Sequence, residues 1–347
     1  MTRYHSTTRF AERRANFDHT VNQVMATKIA SDEVGGKTQR SAIIDVHHHI
    51  APPVYVADTK LRSRPNKTYF DWSPQKSLED MDRAGVSIAV LSAITVWAGD
   101  DARAVRLARE CNDYAARMAQ DHKGRYGRFA CLPLPDIDAS LKEIEYGLDV
   151  LKCDGVSVMT SYGNKWLGDP AFLPVMQELN RRKAVVYTHP TVADCCADLI
   201  PGIPDAIIEF GTDTTRAITS LAFFGTMKAC PDIRFIFSHG GGTLPYLIWR
   251  LEAQCRNTKT AGGQPADGVF PHLKRQYYDC AAAASPITMS ALTQFVPVSQ
   301  VLFGTDFPFT TAKAHVDGLA TCGFSEAELT AIWRQNAFQL MPGLTSL

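Results

Sequence analysis

The chain has 347 residues, a hydrophobic content of 45% and a formal net charge of +0. That length and composition suffice for the buried core of one large domain or two small ones. The balanced charge argues against a nucleic-acid or anionic-membrane partner, and no apolar run approaches the roughly 18 residues of a membrane-spanning helix.

Residues 1–40 are polar and lack the apolar core of a signal peptide. Apolar residues recur at roughly helical spacing in this stretch: Phe10, Phe17, Val21 and Val24. We therefore expect an N-terminal arm with one amphipathic helix over 1–40, separated by Gly35-Gly36 from a single domain over 41–347.

The stretch Ile43-Ile44-Asp45-Val46-His47-His48-His49-Ile50 begins as a β-branched run and ends in three histidines. Successive side chains of a β-strand point to opposite faces, so His47 and His49 share one face and His48 points to the other, structural layer. Two imidazoles on one strand face can bind one metal ion, provided that further ligands come from elsewhere in the chain.

An irregular segment over 51–74 follows, and then apolar runs alternate with helical patterns to the end of the chain. Seven more runs have the length and composition of buried strands: Val86–Leu91, Phe129–Leu132, Gly155–Met159, Ala184–Thr188, Ile233–Phe237, Gln276–Cys280 and Val301–Phe303. Eight such β/α units predict an α/β fold of the (β/α)8 TIM-barrel type. The glycine-rich turn of a dinucleotide-binding sheet is absent after the first strand.

His189, His239 and Asp306 each follow one of these strands, as His47 and His49 do. The carboxyl ends of barrel strands meet at one rim, where the chemistry of such barrels takes place. Nitrogen and carboxylate ligands suit zinc, and less strongly manganese or iron(II), and three histidines with one carboxylate leave a position for water or substrate. No lysine ends the fourth strand, which favours one metal ion over two.

His239 stands in Ser238-His239-Gly240-Gly241-Gly242, where glycines let the backbone approach a ligand closely. It is either a fourth histidine ligand or a free acid/base, and we favour acid/base because its pKa can be tuned near neutrality. Asp306 can act as a base or as a ligand.

Arg250 lies eleven residues beyond His239, too far to serve its own site. It serves a partner subunit's site or forms a surface ion pair, and spacing alone favours the surface pair.

The nine cysteines are without zinc-ribbon spacing, and most stand in apolar contexts. This usage predicts reduced core residues and a cytoplasmic protein. Cys195-Cys196 is the exception, since it lies in a predicted loop after His189. That pair is either reactive or part of a pocket wall, and we favour the wall.

Four motifs together resemble the amidohydrolase superfamily, in its branch of aminocarboxymuconate-semialdehyde decarboxylase-like enzymes. They are Asp45-x-His47-x-His49, Thr188-His189-Pro190, Ser238-His239-Gly240-Gly241-Gly242 and Gly304-Thr305-Asp306-Phe307-Pro308. The resemblance covers about residues 41–342. Within the branch, Cys195-Cys196 and Asp213-Thr214-Thr215-Arg216 are similar to the 6-methylsalicylate decarboxylase type.

The resemblance implies a metal-dependent, non-oxidative decarboxylase of a hydroxybenzoate-type acid, with zinc or manganese and no organic cofactor. His47, His49, His189 and Asp306 would bind the metal, and His239 and Asp306 would be catalytic. Arg250 would reach the partner's pocket to meet a substrate carboxylate, which replaces the surface-pair interpretation and implies a homodimer. Phe309 falls at an aromatic pocket position.

The family's other arginine has no clear counterpart, although Arg62, Arg64 and Lys67 lie in the matching loop. Further aromatic or apolar residues either line the pocket or belong to the core: Trp72, Trp97, Met159 and Phe210. The alternative function is a mononuclear metal hydrolase, cleaving a lactone or amide, or a hydratase on the same barrel. A hydrolase would use the same five residues, so the ligand set does not discriminate between these reactions.

Overall fold

The structure, a computed structural model, describes residues 42–61, 67–94, 101–255, 257–258 and 268–347. The predicted arm over 1–40, together with Arg62, Arg64 and Trp97, lies outside the described residues. The division into an arm and a domain therefore stays a prediction.

Eight parallel strands form one sheet in the order β1-β2-β3-β4-β7-β8-β9-β10, and a short antiparallel hairpin joins β5 to β6. The strands are β1 Ile43–His49, β2 Val86–Ser92, β3 Tyr126–Cys131, β4 Gly155–Met159, β5 Ser161–Tyr162, β6 Lys165–Trp166, β7 Val185–His189, β8 Arg234–Phe237, β9 Tyr277–Asp279 and β10 Val301–Leu302. The amide of Val46 donates to the carbonyl of Phe303, and that of Asp306 donates to His47, so the last strand returns to the first. The predicted TIM barrel is confirmed.

Helices alternate with the strands and pack around the sheet, as parallel strands require. The α-helices are Pro53–Lys60, Pro74–Ala84, Asp101–Asp121, Ile137–Glu145, Leu173–Arg181, Glu209–Phe223, Thr226–Ala229, Leu244–Cys255, Phe270–Lys274, Pro286–Phe295, Ala312–Ala320, Glu326–Thr330 and Asn336–Leu340. The segment 51–74 was wrongly predicted as irregular throughout. It contains the helix Pro53–Lys60, which begins with a proline at its first position, where the missing N–H costs nothing.

A β-bulge interrupts β1 between Asp45 and His48. Asp45 pairs with Ala89 and His48 with Leu91, so β1 carries one more residue than β2 over this interval. The side chain of Asp45 compensates, because its Oδ1 accepts a hydrogen bond from the amide of His47 at 3.0 Å. The bulge changes the phase of the strand, so that Ile44 and Val46 join the apolar interior while His47 and His49 also converge on one site.

The barrel interior holds a separate group of buried apolar residues, which we call the inner cluster. Its strand members are Ile44, Val46, Ile88, Val90, Phe129, Val185, Tyr187, Ile236 and Leu302, and its C-terminal members are Ala337, Met341 and Leu344. A larger core lies between the sheet and the helices. Among the described residues, no helix is both long and apolar enough to cross a membrane.

Candidate metal centre and pocket

Five side chains from four strand ends meet at the carboxyl rim of the barrel. We call them the rim cluster: His47, His49, His189, His239 and Asp306. The Nε2 atoms of His47 and His49 lie 2.9 Å apart, and they lie 3.2 and 3.0 Å from Oδ1 of Asp306. Nε2 of His189 is 3.8 Å from the same oxygen. Three imidazoles therefore direct one nitrogen each at a single carboxylate oxygen.

The opposite nitrogen of each imidazole is held by its own partner. Nδ1 of His47 contacts Oδ2 of Asp279 at 2.9 Å, and Nδ1 of His189 contacts the carbonyl of Pro190 at 2.8 Å. A carboxylate and a carbonyl only accept, so these Nδ1 atoms carry the proton and each Nε2 keeps a lone pair. Nδ1 of His49 pairs with the hydroxyl of Ser92 at 2.9 Å. Such outer partners are typical of metal-binding histidines.

This donor set fits a divalent cation. Two imidazole lone pairs 2.9 Å apart repel one another unless a cation or a proton lies between them. Nε2 of His189 is buried and makes no hydrogen bond within the described part of the chain. The ligand atoms of His47, His189, His239 and Asp306 also lie within 4.8 Å of one another. A role of His239 as ligand therefore stays open beside its role as acid/base.

His239 and Asp306 both adopt backbone conformations that non-glycine residues rarely take, with φ of 56° and 63°. The amide of His239 donates to Oδ1 of Asp279 at 3.0 Å, which fixes the turn that follows β8. Nε2 of His239 then lies 3.4 Å from Oδ2 of Asp306. Backbone strain of this kind concentrates at functional sites, and here it aims the two predicted catalytic side chains at each other.

Burial and charge set opposing protonation preferences in the cluster. Burial holds the pKa of His49 well below its usual range and lowers that of His189 to about 4. Burial also disfavours the charge of His47, but the carboxylates of Asp279 and Asp306 outweigh it and raise the pKa to about 10. Burial would raise the pKa of Asp306, yet the charge of His47 and the neighbouring imidazoles of His189 and His239 hold it well below its usual range. A divalent cation would compete for Nε2 of His47 with the second proton of that ring.

A pocket of about 730 Å³ opens above the cluster, with His189, His239 and Asp306 at its base. One wall is a chain of edge-to-face rings, in which Tyr55 contacts Tyr69 at 5.3 Å and Tyr69 contacts Phe309 at 5.2 Å. The rest is mainly apolar or hydroxyl-bearing, and no lysine or arginine lines the pocket among the described residues. The pocket therefore suits a flat, weakly polar ligand whose charge is met at the rim cluster.

The other predicted pocket residues divide between wall and core. Phe309 and Phe210 line the pocket, and Phe309 also contacts the ring of His49 at 6.2 Å. Met159 lines a cavity of about 10 Å³ beside His49 and His189, whereas Trp72 packs against Tyr114. Lys67 is exposed. Cys195 and Cys196 form a disulfide, and neither lines the pocket, which does not support the pocket-wall interpretation.

Arg250 and His48 both lie away from the pocket. Arg250 is exposed on the helix Leu244–Cys255. His48 points away from its two neighbours, and its ring nitrogens contact Asp45 and Ser77 at 2.9 and 2.5 Å. Its ring stacks on Phe307, as expected for a structural residue.

Asp279 and Ser92 are the residues that sequence reasoning missed. Asp279 is fully buried and binds both the ring of His47 and the backbone of His239. Both residues end barrel strands, β9 and β2, so their position at the rim was readable from the strand pattern. Neither belongs to a local motif, and the pairing of Asp279 with His47 spans 232 residues of chain.

A closed β/α barrel with one histidine–aspartate cluster at its carboxyl rim defines a metal-dependent enzyme class. The chain belongs to the Amidohydrolase family, whose model matches residues 44–342. It is 36% identical to Decarboxylase yanB of Aspergillus niger, covering 86% of this chain and 87% of that protein. It is 35% identical to the 6-methylsalicylic acid decarboxylase acuB of Aspergillus aculeatus, covering 87% and 96%.

A solved structure of a dihydroxybenzoic acid decarboxylase from a Polaromonas species, with bound manganese and 2-nitroresorcinol, superposes with a TM-score of 0.74. The two sequences are 23% identical, and the match covers 87% of this chain and 97% of the other. This likeness supports the barrel fold.

Proposed function

We propose that this chain is a metal-dependent, non-oxidative decarboxylase of a hydroxybenzoate-type aromatic acid, with 6-methylsalicylate-like acids as the first substrates to test. The observation that carries the proposal is a rim cluster of four histidines and one aspartate at the base of a pocket with an aromatic wall. Relatives named as decarboxylases, at 35 and 36% identity over most of both chains, support the reaction type.

We assign metal binding to His47, His49, His189 and Asp306. Their nitrogen and carboxylate donors suit zinc or manganese. A cation held there would supply positive charge that stabilises the phenolate and carboxylate of an ortho-hydroxy acid. The reaction needs no organic cofactor, because the ring, once protonated, itself accepts the electron pair of the broken C–C bond.

Side chains of the protein supply the proton that the reaction needs. The ring carbon that bears the carboxylate must be protonated before the C–C bond can break. His239 and Asp306 both line the pocket, 3.4 Å apart, so one can deliver the proton while the other holds its partner in place. The C–C bond then breaks, its electron pair returns to the ring, and CO₂ leaves with the phenol as the other product. Phe309 and Phe210 keep the ring over the cluster.

The test is an assay of the metal-loaded protein with a panel of hydroxybenzoates, following CO₂ release and phenol formation. We expect turnover that disappears after chelation and in a His239→Ala variant. Hydrolysis of simple lactones or amides, without turnover of any hydroxybenzoate, would replace the decarboxylase by the mononuclear hydrolase. No lysine stands at the end of β4, and Lys165 is exposed on β6, which argues against a binuclear hydrolase.

We further propose that the protein is a homodimer in which Arg250 reaches the partner's pocket. On the same helix, Tyr246 is 90% and Trp249 74% exposed, and both border an apolar groove of about 800 Å³. Ile287, 86% exposed, lies in the same groove. Large apolar side chains gathered on one face are typical of a protein interface. Arg250 would supply the cation that the described pocket wall lacks.

Mixing two inactive variants tests this arrangement. Arg250→Ala and His239→Ala subunits, each inactive alone, would restore activity when mixed, because one of the two pockets in a mixed dimer receives both intact residues. The mass in solution of the wild-type protein is measured in parallel. A monomer, or a mixture without recovered activity, would contradict the shared site.

A cytoplasmic location remains a prediction from cysteine usage. Cys111, Cys131, Cys230 and Cys280 are buried, and no disulfide joins any of them in the described part of the chain. Burial raises the pKa of the Cys131 thiol to about 12, which keeps it unreactive. The bond between Cys195 and Cys196 joins sequence neighbours and ties no distant segments together.

A further inference from the structure

The hydroxyl of Thr59 differs from those of six other threonines in the described helices. Within a helix, a threonine hydroxyl usually donates to the backbone carbonyl four residues earlier. Six threonines of the described helices do so: Thr212, Thr214, Thr215, Thr219, Thr293 and Thr330. Thr59 lies in the helix Pro53–Lys60, and its hydroxyl has no hydrogen-bond partner among the residues that the structure describes. Thr59 therefore does not form the hydrogen bond within the helix that satisfies the hydroxyls of these six threonines.

This hydroxyl is both buried and part of the pocket wall. Thr59 is only 2% exposed, yet it lines the pocket beside Tyr55, Tyr69 and Phe309. A buried hydroxyl without a partner is costly, so such groups normally find one in the protein, in water or in a ligand. The pocket is the place from which a partner can come.

Other hydroxyls of the pocket wall are already engaged within the protein. Thr212 donates to the carbonyl of Ile208, Thr243 pairs with the hydroxyl of Thr215, and Thr288 pairs with that of Ser285. Unlike these three hydroxyls, that of Thr59 has no partner among the described residues, so it can bond to a ligand.

The position of Thr59 is fixed before any ligand arrives. Its neighbour Asp58 binds the guanidinium of Arg103, which also donates to the Asp58 carbonyl at 3.2 Å. These contacts anchor the last turn of the helix to the helix Asp101–Asp121. A fixed hydroxyl loses little conformational entropy when it binds, so it can discriminate between ligands.

We propose that Thr59 is a specificity residue that hydrogen-bonds a second ring hydroxyl of the substrate. This rests on the proposed function, in which the carboxylate and ortho-hydroxyl of the acid face the rim cluster. A further hydroxyl on the ring edge then meets the aromatic wall. We favour a neutral substrate hydroxyl over a second anionic group as the partner of Thr59, because no cationic side chain lines this wall among the described residues.

The kinetic test compares 2-hydroxybenzoate with the four dihydroxybenzoates that carry a second hydroxyl at position 3, 4, 5 or 6. For at least one isomer, the wild-type kcat/KM exceeds that for 2-hydroxybenzoate by about tenfold, the size of one good hydrogen bond. Thr59→Val keeps the shape and removes the hydroxyl, so that this ratio falls to about one while 2-hydroxybenzoate is little affected.

Two further variants serve as controls. Thr59→Ser restores the hydroxyl and with it the preference. Thr212→Val removes a wall hydroxyl that is already bonded to Ile208, and it leaves the ratio between the acids unchanged. If Thr59→Val lowers kcat/KM equally for every acid, or for none, Thr59 only shapes the wall and the proposal is wrong.

A binding experiment separates this inference from the proposed function. Calorimetry with the metal-loaded protein compares phenol with catechol, resorcinol and hydroquinone, which carry no carboxylate and release no CO₂. If no benzoate is decarboxylated, a preference for one diphenol that disappears in Thr59→Val still supports the hydroxyl contact. Equal affinities for phenol and all three diphenols in the wild type would overturn it.

Discussion

The inner cluster and the rim cluster are built on the same strands and obey different rules. Along β7, Val185 and Tyr187 face the inner cluster, and His189, two residues further, faces the rim. The inner cluster is held by apolar contact alone, and it tolerates only small changes of volume. The rim cluster packs four imidazoles around one carboxylate, and three of them, His47, His49 and His189, are each held by a hydrogen-bond partner outside the cluster. The difference separates residues that stabilise the barrel from residues that make it react.

The largest expected effect comes from Asp306, the centre of the rim cluster. Asp306→Asn removes the negative charge and one acceptor from a site where three imidazoles converge, so metal binding and proton transfer both suffer. We expect kcat/KM for the best hydroxybenzoate to fall by about 10³-fold or more. Asp317→Asn, an exposed aspartate paired with Lys313, is the matched control and should leave kcat/KM unchanged. Activity near the wild-type level in Asp306→Asn would remove the rim cluster from the mechanism.

A substitution of Asp279 tests whether metal binding by the rim cluster depends on hydrogen-bond partners outside the cluster. In Asp279→Asn the oxygen can still accept from the amides of His239 and Ala281, but an NH₂ group faces Nδ1 of His47. The imidazole then adopts the other tautomer, with its proton on Nε2, where a metal should bind. We expect affinity for Zn²⁺ or Mn²⁺ to fall by about 10- to 100-fold, measured by competition with a chelator. An unchanged dissociation constant would show that Asp279 serves the fold alone.

Ile236 probes the inner cluster without touching the rim. It is fully buried, and Ile236→Val removes one methyl group from the barrel interior. We expect the free energy of unfolding to fall by about 1 kcal/mol, with the same loss in metal-free and metal-loaded protein. Metal affinity and kcat should stay at wild-type values. A selective loss of metal affinity would mean that the two clusters are coupled.

Tyr187 lies on the boundary between the two clusters, and we expect the smallest effect there. Its ring stacks on Phe129 and contacts His47 at 5.2 Å, while its hydroxyl is buried without a hydrogen-bond partner in the described structure. Tyr187→Phe keeps both ring contacts and removes the unsatisfied group. The free energy of unfolding should therefore stay constant or rise by up to about 1 kcal/mol, in chemical denaturation. A clear loss of stability would reveal a partner of this hydroxyl, such as a water in the adjoining cavity of about 10 Å³.

The strand pattern predicted the barrel and the residues of the rim cluster, since apolar runs of strand length depend on local sequence. Alternation also placed His47 and His49 on one face, and their Nε2 atoms do lie 2.9 Å apart. It could not show that Val46 faces inward as well, since the extra residue of β1 becomes visible only in its pairing with β2. The roles assigned to the cluster remain predictions.

Other features depend on contacts that no local pattern contains. The positive φ angles of His239 and Asp306 arise where the chain leaves a strand. The sequence does not reveal these angles, because histidine and aspartate usually adopt negative φ. Asp279 matters because it contacts His47, which is far away in sequence. Thr59 matters because its hydroxyl has no hydrogen-bond partner in the described part of the chain. Arg250 was predicted to act outside its own pocket, and its exposed position is consistent with that prediction.

The closure of the barrel between its first and last strands has a consequence for biosynthesis. Nε2 of His49 and Oδ1 of Asp306 are 257 residues apart in sequence. At roughly ten residues per second, the ribosome delivers the aspartate about half a minute after the histidine. The histidines of the first strand therefore lack the carboxylate of Asp306 until nearly the entire barrel has been synthesised. Tight capture of a divalent cation would thus distinguish finished, correctly closed molecules from interrupted translation products.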